Sequence, residues 1–193
     1  MEIDLEQTKQ YLIKSGTIIE PDRVNIAIPD ARHMIKRGLE TFIKGDVVWL
    51  PEYEEVADWL TNNEGRGLLL IGNCGRGKSV LAKKIIPTLI SYFHRKIVSV
   101  YSSTQMNQHP DEVLSKHIVC VDDIGTEGES MLYGNRRMVL AELADAAEIE
   151  GKMLILTTNM SVDELRQKYG ERTIDRLRVV TKPILFNGES LRK

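Results

Sequence analysis

Five short apolar blocks punctuate the chain, at residues 68–71, 97–101, 118–121, 153–156 and 183–186, and the segments between them carry apolar residues at helical spacing. Blocks of four or five residues have strand length, and the unbroken Leu-Leu-Leu-Ile and Ile-Val-Cys-Val runs read as strands buried on both faces. The first intervening helix starts at Lys78 and continues through Leu81, Ile85 and Ile86, with Pro87 expected to kink or divide it before residues 89–93. Residues 102–110 read as a polar loop, and residues 111–116 as a short helix capped by Asp111. Further helices are predicted over about 132–150, ended by Gly151, over 162–169, where Ser161 and Glu164 form a capping box before Gly170, and over 171–178. Strands that alternate with helices pair in parallel, because each connection is a right-handed crossover, so helices must cover both faces of the sheet.

Ahead of the first strand, residues 4–14 read as an amphipathic helix with Leu5, Tyr11, Leu12 and Ile13 as its apolar members, ended by Gly16. Pro21 and Pro29 bracket an extended stretch, and Asp30 is placed to cap a helix from Ala31 to about Ile43. That helix carries Arg32, His33, Lys36 and Arg37, with Lys44 just beyond, which is either a solvated face or a surface for a partner or nucleic acid. Residues 52–61 form another helix with Val56, Trp59 and Leu60 on one side, and Trp59 reads as core rather than as a platform for adenine. The organisation expected is a short N-terminal helical segment, 1–45, and one α/β domain, 46–193.

Composition narrows the class without choosing a function. A chain of 193 residues, 42% hydrophobic and 28% charged, suits one soluble domain. A net charge of −2 means that any nucleic-acid contact must come from a local patch, for which Arg136, Arg137, Lys83 and Lys84 are candidates alongside an ordinary solvated reading. The two cysteines, Cys74 and Cys120, cannot build a disulfide framework, and the four histidines are too scattered for a metal site. With no basic leader and no apolar run of membrane length, a cytoplasmic protein without a membrane contact is expected.

The chemistry concentrates where the first strand ends. Gly72-Asn73-Cys74-Gly75-Arg76-Gly77-Lys78-Ser79 fits G-x-x-x-x-G-K-[ST], the phosphate-binding loop known as Walker A. Glycines let backbone N–H groups turn toward a polyphosphate, Lys78 reaches the β- and γ-phosphates of ATP, and the Ser79 hydroxyl binds Mg²⁺. About 40 residues later the strand at 118–121 runs into Asp122-Asp123, which brings a carboxylate beside that loop in the Walker B manner, with Asp122 as the Mg²⁺-side acid. The strand at 153–156 exits into Thr157-Thr158-Asn159, where Asn159 either orients the attacking water or simply caps the next helix. Arg172 and Arg176 lie four residues apart on one helical face.

Together, residues 72–79, 121–127, 157–159 and 169–177, with the closing segment 186–192, resemble AAA+ ATPases of the DnaC/DnaI type, bacterial replicative-helicase loaders related to the IstB-type transposition helpers. The resemblance covers residues 50–193. It implies an AAA+ P-loop NTPase core with strand order 5-1-4-3-2 and a lid that is small or missing. It implies ATP and Mg²⁺ as ligands, slow or assembly-dependent hydrolysis, and a replicative helicase or another DNA-associated protein as partner, with single-stranded DNA as a further ligand. It also implies self-assembly in which Arg176, or failing it Arg172, acts on a neighbouring subunit's nucleotide; the competing reading is a surface ion pair with Asp175 or Glu171. Asp123 stands where most AAA+ proteins carry a glutamate base, one methylene longer, and Glu127 is the next acid along. The chain also departs from the loaders in having only about 45 residues, and no cysteine, before the core, and 16 residues between Tyr101 and Ile118.

Overall fold

The computed structural model describes residues 4–17, 20–43, 47–127, 130–132 and 135–191. In chain order the strands are β1 (Gly67–Gly72), β2 (Ser99–Ser102), β3 (Ile118–Asp122), β4 (Ser130–Leu132), β5 (Asn135–Arg137), β6 (Met153–Thr158) and β7 (Thr181–Phe186). The helices are α1 (Leu5–Lys14), α2 (Ala31–Phe42), α3 (Pro51–Thr61), α4 (Lys78–Val80), α5 (Ile86–His94), α6 (Ser103–Gln108), α7 (Pro110–Leu114), α8 (Val139–Glu150), α9 (Val162–Tyr169) and α10 (Glu171–Val180). Five strands make one parallel sheet in the order β2-β3-β6-β1-β7. Counted among those five alone, this is the expected 5-1-4-3-2.

Because strand side chains alternate between faces, each buried strand feeds two cores. Leu68, Leu70, Cys120, Ile155, Ile184 and Phe186 face α2, α3 and α5, whereas Leu69, Ile71, Val119, Val121, Leu154 and Leu156 face α8, α9 and α10. Residues ahead of β1 join the first core: Val24, Ile26 and Ile28 alternate inward, followed by Ile35 and Leu39 of α2. Asn63 pins this stretch, accepting from Ile26 N–H at 2.8 Å and donating to the carbonyls of Val24 (2.9 Å) and Arg66 (3.0 Å). Trp59 is 1% exposed and donates through Nε1 to Arg66 O, so it is core. By contrast α1, capped by Asp4, buries none of its residues.

Pro87 shapes the helix that follows the phosphate loop. Its ring would clash with the carbonyl four residues back, and it has no N–H to donate. The chain answers with a π turn, Leu81–Ile85, in which Ile86 N–H reaches Leu81 O. The Ala82 carbonyl, whose π partner would be Pro87, is taken instead by the Cys120 thiol at 3.3 Å. Burial, then the nearby Asp122 carboxylate, pushes that thiol up to about 12, so it is an inert donor inside the core.

The structure corrects several local expectations. The stretch read as a loop contains α6, whose start is held by a capping box between Ser102 and Gln105. The next helix starts at Pro110 behind His109, and Asp111 does not cap it but pairs with Arg137 at 2.9 Å. Asp30 does precede α2, but in a left-handed conformation with no side-chain cap. The long helix predicted from residue 132 starts at Val139, because β4 and β5 pair as an antiparallel hairpin. The second strand starts at Ser99 rather than at residue 97.

Candidate functional site

β1 releases the chain at Gly72, where φ is +133° and an added Cβ would lie 2.2 Å from Phe186 O. At Gly77, φ is +87° and a Cβ would lie 2.5 Å from the Tyr53 hydroxyl. Only glycine fits at either point, since the first needs a strand neighbour at backbone distance and the second a left-handed turn under an aromatic ring. The Lys78 side chain then folds back over the loop and donates to Gly72 O (2.7 Å), Asn73 O (2.8 Å) and Asn159 Oδ1 (2.9 Å). Asn159 Nδ2 in turn donates to Asp123 Oδ1 at 2.8 Å. The ends of β1, β3 and β6 are thereby joined through one amide, whose oxygen meets the ammonium and whose nitrogen meets the carboxylate.

Thr157 organises the acid pair, a role that sequence reading did not assign. Its hydroxyl donates to Asp122 Oδ1 at 2.7 Å and accepts from Asp123 N–H at 2.8 Å. The other Asp122 oxygen, Oδ2, lies 3.2 Å from Lys83 Nζ. Asp123 itself adopts φ +62°, an uncommon backbone for a residue other than glycine. Glu127 turns away from this cluster. It is buried, accepts from Gly125 N–H (2.8 Å) and from the Tyr169 hydroxyl, and lies beside Lys168, which donates to the carbonyls of Gly125 and Glu127. Burial, then the bond to Glu127, pushes the Tyr169 phenol up. Glu127 therefore fastens the turn after β3 to α9.

A cavity of about 430 Å³ opens over the loop. It is lined by polar and loop residues, Cys74, Gly75, Gly77, Lys78, Ser79, Asp123 and Asn159, together with the larger apolar or aromatic side chains of Ile43, Val47, Val48, Tyr53, Val80 and Leu191. The lining thus combines polar donors with apolar surface, as ligand pockets commonly do. Burial holds the Tyr53 phenol above its usual range, so it is a neutral donor, to Arg76 O at 3.1 Å. No cluster of three or more His, Cys, Asp or Glu that could hold a metal exists among the described residues; the oxygens that could serve a cation arriving with phosphates are the Ser79 hydroxyl in the cavity and the Asp122 carboxylate at the end of β3.

The Arg76 side chain does not line the cavity. Its guanidinium is buried and turned to Glu52 Oε1 (2.9 and 2.6 Å), and Nη1 reaches Glu189 O at 3.1 Å. The segment after β7 adds further contacts to the loop, from Asn73 Nδ2 to Gly188 O (3.0 Å) and from Leu191 N–H to Gly75 O (3.1 Å).

The two arginines of α10 are placed differently. Arg176 is bound to Glu148 at 2.9 Å and to Asp145, both on α8, and is not paired with Asp175 or Glu171. Arg172 is exposed and, among the described residues, has no ion pair or side-chain hydrogen bond. The basic side chains considered for nucleic acid are engaged within the chain: Lys83 with Asp122, Lys84 over the Phe42 ring, and Arg137 with Asp111 and Glu142. The Arg136 side chain and Lys44 lie outside the described residues. Arg32, His33, Lys36 and Arg37 are exposed, with Arg32 stacked over Trp49 and 3.4 Å from Glu54. Among the described residues no helix is long and apolar enough to cross a membrane.

Solved structures share this architecture. The DnaC helicase loader aligns with 80% of this chain over 99% of its own length, at 19% identity and a TM-score of 0.56. DnaI aligns with 84% of this chain and 82% of its own, at 17% identity and 0.53. DnaA from Aquifex aeolicus, bound to AMPPCP, aligns with 76% of this chain and 49% of its own, at 20% identity and 0.52. At these identities the likeness is one of fold, that of the AAA+ P-loop NTPases. No functionally curated protein matches the sequence. A family model does, over residues 48–182, a span that holds the phosphate loop, both acids, Asn159 and α10: the chain belongs to the family Novel STAND NTPase 3.

Proposed function

We propose that this protein binds ATP with Mg²⁺ beside Lys78, hydrolyses it slowly upon self-assembly, and uses that cycle in the cytoplasm to act on a replicative helicase or another DNA-associated protein. The observation that carries the reading is the line Lys78–Asn159–Asp123, which ties the phosphate loop to the acid after β3 through one amide. In that reading the backbone of residues 72–79 cradles the phosphates, Lys78 meets the β- and γ-oxygens, and Ser79 and Asp122 hold the metal. Bound Mg²⁺ supplies neutralisation of charge across those phosphates. Asp123 takes the proton of the attacking water and Asn159 orients that water. Arg172 is the arginine available to a neighbouring copy, while Arg176 fixes α10 on α8. The DNA-replication partner draws on the shared fold with DnaC and DnaI.

Titration with ATP in the presence and absence of Mg²⁺ tests the core of this reading, with Lys78→Ala as control; equal affinity of wild type and variant would sink it. Capture from the native host with wild type in ATP, compared with Lys78→Ala, tests the partner. A replicative helicase supports the loader reading, and a transposase supports the transposition-helper alternative. One observation favours a second reading, a nucleotide-gated binding module with little hydrolysis: Asp123 is short, is held in a strained backbone and already accepts from Asn159. Tight Mg-ATP binding with no turnover at any protein concentration would select it.

A further inference from the structure

Lys83 sits within the π turn, four residues beyond Ser79 on the helix that leaves the phosphate loop. Pro87 imposes that turn, and the turn presents the Lys83 ammonium to Asp122 Oδ2 at 3.2 Å. Asp122 Oδ1 is occupied by the Thr157 hydroxyl at 2.7 Å. Both oxygens of a carboxylate that is only 12% exposed are thus engaged by the protein itself, whereas the Lys83 side chain is 41% exposed and has solvent to move into. Thr157 is fixed by its second bond, from Asp123 N–H, so Oδ1 is committed and Oδ2 is the exchangeable oxygen.

We propose that Lys83 is a tethered counter-ion that neutralises Asp122 in the nucleotide-free protein and is displaced when Mg²⁺ enters with the nucleotide. The inference rests on the assignment of Ser79 and Asp122 to the metal. A divalent cation bound at Oδ2 repels an ammonium on the same oxygen, and with twice the charge it holds the oxygen more strongly than the lysine does. Before the metal arrives, the lysine therefore spares a largely buried carboxylate the cost of one unpaired oxygen, and it sets a threshold that free Mg²⁺ must exceed.

The test uses the full chain and Lys83→Met, which keeps the stem and removes the charge. At fixed ATP, thermal unfolding is followed as Mg²⁺ is titrated. The expected result is a Mg²⁺ midpoint lowered about three- to tenfold in Lys83→Met, with ATP affinity in EDTA unchanged within about twofold. Without nucleotide the variant melts below wild type, and saturating Mg-ATP closes the gap. An unchanged or raised Mg²⁺ midpoint overturns the proposal, the raised one meaning that Lys83 serves the bound state. If Mg-ATP fails to stabilise the wild type at all, the nucleotide reading falls and this inference with it; stabilisation with a midpoint indifferent to Lys83 removes this inference alone.

Discussion

The phosphate loop and α10 both bear cations that a motif marks as functional, yet they are held by different forces. The loop is a local construction: Lys78 folds back onto carbonyls five and six residues behind it, and Gly72 and Gly77 permit the path. The α10 helix is placed by distant partners, Arg176 reaching Asp145 and Glu148 some 30 residues away, while Arg172 stays exposed. A conformation written into backbone geometry can be read from a short sequence window. A contact that depends on which carboxylate a long side chain finds cannot, because only packing chooses among the acids. Arg76 and Lys78 repeat the lesson two positions apart, one turned to Glu52 and the other to Asn159.

The sharpest way to break the comparison is to remove each arginine of α10. Arg172→Ala is expected to lower assembly-dependent ATP turnover by on the order of 10³ with stability unchanged within ~0.5 kcal/mol. Arg176→Ala is expected to lose about 1 kcal/mol of stability, since its two ion pairs are partly exposed. Mixing Arg172→Ala with Lys78→Ala protein should restore turnover, because each supplies what the other lacks. The reverse pattern, with turnover lost only in Arg176→Ala, would return the trans role to Arg176.

On the loop side, Gly72→Ala combines a disfavoured φ with a backbone contact at 2.2 Å, and a loss of about 2–5 kcal/mol in chemical unfolding is expected. A variant as stable as wild type would mean that β1 and β7 part more easily than their pairing implies. Lys78→Ala should cost ATP roughly 10- to 100-fold in affinity, equivalent to about 1.5–3 kcal/mol for a charge-assisted contact. Isothermal titration reads this directly.

The smallest effect concerns the two thiols. Cys74 is exposed in the loop, whereas Cys120 is buried with its thiol pushed up to about 12. A maleimide at neutral pH should label Cys74 alone, and Mg-ATP should slow the reaction several-fold by covering the loop. Labelling of Cys120 at a comparable rate would contradict the packing of β3 against the π turn.

The sheet, its strand order and the glycine-rich turn after β1 were legible in the residues, by apolar blocks of strand length, crossover handedness and glycine spacing, and, for the order, by resemblance. These are short-range or topological constraints, and few alternatives satisfy them. Helix ends near weak local signals were not: the β4–β5 hairpin before Val139 and the α6 helix in a polar stretch both depend on tertiary context. Nor could sequence assign Thr157 to the acid pair, turn Arg76 away from phosphate or bind Glu127 to Tyr169. Those assignments pair groups 24 to 42 positions apart, and their energy exists only once α3 has packed beside the loop, β3 beside β6, and α9 beside the turn after β3. The residues by themselves determined a nucleotide-type loop on a parallel sheet; the tertiary structure decided which of its charged side chains face the cavity and which are spent on holding the molecule in shape.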